Sequence, residues 1–182
     1  GDAMGRVIAQ ALQMGESNAC MKRIVAAPTA GACGVLPAVL IPLFRDDPNT
    51  IRALFVAAGI GQVIATRASI AGASGGCQAE IGSASAMAAG ALVYLRGGSC
   101  EQILAAVAMS LKNLLEVPCV KRNVIGAVNA MSAADMALAG IQSMIPADQV
   151  IDAMKEVGDL MDVSLRETGR GGLAATRRGV EI

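Results

Sequence analysis

Two cysteines in this sequence have neighbours that suit a thiolate. Cys77 follows Gly75-Gly76 and stands where a helix is expected to begin, so nearby N–H groups and the helix dipole favour its ionised form. The flanking glycines leave space for a bulky inorganic group to approach the backbone. Cys119 follows Pro118 and precedes Lys121-Arg122, two cations suited to offset a thiolate or cluster charge or to anchor a carboxylate. The plainer alternative, which spacing alone favours, is that both are small buried core residues. Their separation of 42 positions fits neither a compact zinc pattern nor a ferredoxin one. Cys20, Cys33 and Cys100 are read as structural or incidental thiols.

The elements that must position these residues are helices. Leu104, Val107, Leu111 and Leu114 step by three, four and three, which puts them on one face of a helix starting near Glu101. Val150, Met154, Val157 and Met161 repeat the pattern, with Pro146 suited to the first turn. Residues 124–141 read as a nearly all-apolar helix buried on every side. Residues 51–66 form another, after the turn-forming Asp46-Asp47-Pro48-Asn49, and Gly97-Gly98 ends a helix over 78–95. Residues 27–34 (APTAGACG), 72–76 and 116–119 are expected as loops, and the glycine-rich tail from 169 to 182 as irregular. The expected fold is all-α: a compact bundle of mostly buried helices, forming one domain over residues 1–182, with glycine- and proline-rich loops that bear the ligands.

Composition agrees with that architecture. Hydrophobic residues make up 54% of the chain and aromatics 2%, so small side chains must pack closely, which suits Ala-rich helices better than strands. Fifteen basic residues balance fifteen acidic ones, which gives no electrostatic reason to expect nucleic acid or an anionic membrane as partner. The one uncharged run that reaches the roughly 20 residues of a spanning helix, residues 24–44, is interrupted by Pro28, Pro37 and Pro42. No secretory signal is visible, and five widely spaced cysteines suit a reduced, cytoplasmic setting better than a disulfide framework.

The strings VAAPTAGACGVLPAVL (25–40), GGCQAEIGSASAMAAGAL (75–92), EVPCVKRNVIGAVNAMSAADMAL (116–138) and ETGRGGLAAT (167–176) resemble the α subunit, or α domain, of the iron–sulfur-dependent L-serine dehydratases. The resemblance covers essentially the whole chain. It implies a 4Fe-4S cluster held by three cysteines, with one iron left open to act as a Lewis acid on the hydroxyl of L-serine, giving pyruvate and ammonia without pyridoxal phosphate. Cys77 and Cys119 fall on two of the ligand positions. The third is missing: the family's segment Gly-Leu-Val-Cys-Asp-Pro-Val-Ala-Gly has no counterpart, and Lys112-Asn113 runs through Leu114-Leu115 into Glu116. A further N-terminal helical stretch normally precedes the point matching Gly1-Asp2-Ala3, so the chain is expected to be a piece of a longer protein.

The resemblance also implies substrate contacts from Thr29, Lys121, Arg122 and Asn123, with Glu80 supporting the cluster loop. Each has a plainer alternative: a cap at Thr29, a solvated turn at Lys121-Arg122, a helix N-terminal charge at Glu80. The chain has no histidine, so an imidazole base would have to come from elsewhere. A β subunit or β domain is the implied partner, in a homo-oligomer or heterodimer. Two rivals remain open: a lyase of the same superfamily acting on cysteine, and a non-catalytic subunit that has lost its cluster.

Overall fold

In this computed structural model the described residues are 2–113, 122–166 and 177, and the side chains of Cys77, Arg122 and Leu165 lie outside the description. Among the described residues every regular element is helical, in accord with the all-α expectation. The order is α1 (Asp2–Ala19), α2 (Val35–Phe44), α3 (Thr50–Arg67), α4 (Gly72–Leu95), α5 (Cys100–Lys112), α6 (Arg122–Leu138) and α7 (Ala147–Leu160), followed by a 3-10 turn at Val163–Leu165.

Helix α4 is the axis around which the others stand. From 78 to 93 it is buried without interruption, enclosed by α2, α3, α5, α6 and α7. Side-chain size makes this possible. Ala79, Ala84, Ala86, Ala88, Ala89 and Ala91 are all buried, and a Cβ added at Gly90 would stand 2.2 Å from Cδ1 of Ile60 on α3. Burial of each methyl contributes only about 0.8 kcal/mol, so close packing of many small groups, rather than a few aromatics, holds the core. Helix α1 packs outside this ring, against α2 and α6.

Five expectations need correction. The helix buried on every side is α4, whereas α6 exposes Ile125, Ser132 and Asp135, and Asp135 pairs with Arg96 at the surface. That helix also stops at Leu138, before Ile141, because Gly140 turns the chain at φ 87° and the Ile141 N–H bonds back to the Met136 carbonyl at 3.0 Å. Residues 72–75, expected as loop, form a helical turn; the break comes at Gly76, with φ 71° and ψ −176°. On α5 Leu104, expected on the buried stripe, is 58% exposed, while 106–111 are all buried. On α7 Val157 likewise faces outward in part.

Helix α1 went unread in the sequence, although Met4, Val7, Ala11 and Met14 step by three, four and three, and Val7 and Ala11 are buried. Helix α2 runs through the proline-interrupted apolar stretch; Pro37 lies in its first turn, where its missing N–H has no partner to lose, and Pro42 sits inside. The expected loop at 116–119 and nearly all of the tail lie outside the described residues.

Candidate functional site

One wall is the loop 27–34, which enters through a cis Ala27-Pro28 peptide. Its conformation is set by side chains from two helices. From α1, Asn18 Nδ2 donates to the Ala30 carbonyl at 3.0 Å and the Cys33 thiol donates to the Met14 carbonyl at 3.6 Å. From α6, the Asn123 carboxamide accepts from the Gly34 N–H at 2.9 Å and donates to the Gly31 carbonyl at 3.2 Å. The loop lies so close to α4 that a Cβ on Gly31 would stand 2.4 Å from a carboxylate oxygen of the buried Glu80.

A second wall is the start of the buried part of α4. Gly76 adopts a left-handed φ that an L side chain resists, and a Cβ there would press on Sδ of Met161 at 2.7 Å. This kink ends one helical turn and lets the next helix begin at Cys77, where the first N–H groups of a helix lack intrahelical acceptors. Against its outer side, Gly158 of α7 approaches the Gly75 backbone, with only 3.2 Å between a hypothetical Cβ and the Gly75 Cα.

Deeper along α4 a polar network ties three helices together. Ser85 Oγ donates to the Gly126 carbonyl at 2.7 Å and accepts from Ser110 Oγ at 2.8 Å and from Asn129 Nδ2 at 2.9 Å. Asn129 Nδ2 also reaches the Ser110 carbonyl at 2.9 Å, and its Oδ1 accepts from Asn113 Nδ2 at 2.9 Å. A network satisfied in this way fixes the relative height of α4, α5 and α6. It also holds Asn113, just past the end of α5, against α6.

Two polar groups at this end of the bundle contrast with that network. Thr29 Oγ1 and both amide atoms of Gln78 are buried and have no hydrogen-bond partner. Gln78 is 5% exposed. A buried polar atom left without a partner costs about 1–3 kcal/mol, so such atoms mark places where something else is received.

The structure gathers the loop bearing Thr29, the Asn123 amide that shapes it and the helix start at Cys77 at one end of the molecule. Cys119 and Lys121 lie outside the described residues, and Arg122 opens α6 with its side chain outside them. Among the described residues no three His, Cys, Asp or Glu side chains come together as a metal-binding group. Cys20 and Cys100 are exposed, whereas Cys33 is buried and desolvation pushes its thiol above its ordinary pKa. Gln78 and the Ser85–Ser110–Asn129 network were not singled out from sequence. The signal was there: Gln78 and Ser85 are seven apart in an apolar helix, hence on one face.

No described helix is long and apolar enough to cross a membrane. Among the described residues fold and site define a helical chain whose loop 27–34 lies beside the kinked end of a caged helix. A sequence profile of the serine dehydratase alpha chain family matches residues 1–174, and the chain belongs to that family. It is 53% identical to a probable L-serine dehydratase alpha chain of Bacillus subtilis, over 96% of this chain and 63% of the relative. It is 50% identical to the corresponding probable alpha chain of Latilactobacillus sakei, over 100% and 94%. To the L-serine dehydratase alpha chain of Peptoniphilus asaccharolyticus it is 47% identical, over 100% and 68%. The chain thus spans less than two thirds of the Bacillus relative. The Latilactobacillus match runs over 196 residues although the chain has 182, so that relative holds residues without a counterpart here.

Proposed function

We propose that this chain is the cluster-binding part of an iron–sulfur L-serine dehydratase, which converts L-serine to pyruvate and ammonia. The observation that carries the reading is the family match over nearly the whole chain, including the strings around Cys77 and Cys119. The described residues are compatible with such a group: the helix restarts after the glycine kink at Cys77, and Gln78, next in sequence, has a buried amide without a partner. Cys77 and Cys119 are two ligands. A third belongs to a segment near 113–116 that this sequence lacks, and the excess length of the Latilactobacillus match supports such a loss. When bound, a 4Fe-4S cluster supplies a Lewis acid that weakens the bond to the substrate hydroxyl.

The chain's own residues bind and orient. Thr29 offers a hydroxyl to the substrate, and Arg122 with Lys121 holds its carboxylate. Asn123 acts on the substrate through the loop, because both ends of its amide are engaged there. An imidazole base for the α-proton would have to come from outside this histidine-free sequence, which supports a complete site against a β subunit or β domain. The cysteines and the oxygen-sensitive cofactor suit a reducing cytoplasm.

The test is anaerobic iron and sulfide analysis of the full-length gene product, with turnover of serine, threonine and cysteine compared. Cys77→Ala and Cys119→Ala should each lose the cluster and Cys100→Ala should keep it. Equal retention in all three, or no iron in the wild type, would overturn the assignment.

A further inference from the structure

Among the described residues only Thr29 Oγ1 and the Gln78 amide are buried side-chain polar groups without a partner, and Gln78 leaves both of its ends unmet. Both its Oε1 and its Nε2 are buried with no partner, on a residue 5% exposed. Its direction follows from its neighbours on α4. Gly82, four residues on, lies against Leu111 at the end of α5, with 3.6 Å from a hypothetical Cβ to Cδ2. Ser85, seven on, bonds to Ser110 of α5 and to the Gly126 carbonyl of α6. Gln78 is thus on the face of α4 turned towards α5 and α6, one turn nearer the kink than Gly82. It lies in the first turn after Gly76, where the helix end carries partial positive charge.

We infer that the Gln78 carboxamide recognises the zwitterionic end of the substrate, and so selects α-amino acids; this rests on the reading of the chain as part of an amino-acid lyase. The group carries one acceptor and two donors, all unused. Cluster sulfides and thiolates only accept, and would leave Oε1 unpartnered. An α-amino acid presents both kinds of partner: its carboxylate accepts from Nε2–H, and its ammonium donates to Oε1. The helix start after Gly76 adds attraction for the carboxylate. Without ligand the amide is a burden on the fold, because its desolvation is uncompensated. That separates a recognition role from a structural one.

The experiment compares wild type with Gln78→Met, close in length and shape but without the polar atoms, in the holoenzyme made from the full-length gene product with its partner. Recognition predicts unchanged iron, sulfide and visible absorbance, and a ligand-free melting temperature equal to or above that of wild type. It further predicts KM for L-serine raised about tenfold to a hundredfold with kcat changed much less, the loss of hydrogen bonds to charged groups. An unchanged KM, a lowered ligand-free melting temperature, or loss of iron from the variant would each overturn it. If wild type itself holds no iron, the cluster reading falls. Calorimetric binding of L-serine to the same two proteins then decides Gln78 separately, equal affinity overturning the inference and weaker binding to Gln78→Met sustaining it.

Discussion

Asn123 uses both ends of its carboxamide on the loop 27–34, so replacing it removes a donor and an acceptor from one place. Asn123→Ala should lower stability by about 1–3 kcal/mol, read by denaturant midpoint, and speed proteolytic cleavage of that loop. The thiols should differ as their surroundings do. A maleimide on native protein should label Cys20 and Cys100 quickly and Cys33 only on unfolding, resolved by peptide mass spectrometry. Cys33 also carries a pH dependence. Burial raises its folded pKa, so its contribution is complete below the unfolded thiol value and is lost as pH climbs through the folded one. The melting temperature should therefore sag in alkali, and Cys33→Ala should flatten that slope. At this scale the motifs around Cys77 and Cys119 were legible because their residue types are distinctive. The role of Asn123 was not, since a link to Gly34 across 89 positions leaves no local trace.

Gly76 sets where the working part of α4 begins. An alanine there meets both a left-handed φ and the Met161 sulfur, so Gly76→Ala should destabilise by about 1–3 kcal/mol, or several degrees of melting temperature. Any metal content should fall with it, because the helix start at Cys77 shifts. Asn129 joins α4, α5 and α6, and Asn129→Leu should cost about 1–3 kcal/mol by stranding Ser85, Ser110 and Asn113. Helices α5 and α7 could be read from their apolar period and α3 from the turn before it, although Leu104 and Val157 on the expected stripes face outward. Helices α4 and α6 were harder to rank. Both are rich in Ala, and which of two such helices is enclosed depends on how neighbours stack, not on its own pattern. The turn at 72–75 looked like loop because glycine disfavours helix, and packing of Gly158 against Gly75 overrides that preference.

Among the described residues the exposed ion pairs do little to hold the fold. The Arg67–Asp152 pair, at 2.6 Å, and the Lys155–Asp159 pair are both exposed, and a double-mutant cycle on the former should give no more than about 1 kcal/mol. Asp162, lowered by its bonds to Ser164, and Glu101, lowered by Ser99, favour folding only while ionised, so their small support fades as pH drops through the carboxylate range. The interior decides stability instead. An Ala-rich, aromatic-poor composition announced close helix packing, yet it could not say which helix stands at the centre. That α4 is caged by five others has a consequence for which parts can move. A rod gripped along sixteen consecutive buried residues cannot swing, so its amides should be the last to exchange with deuterium. Movement is left to more loosely held parts such as the loop over residues 27–34, pinned by a few side-chain bonds, whose amides should exchange early.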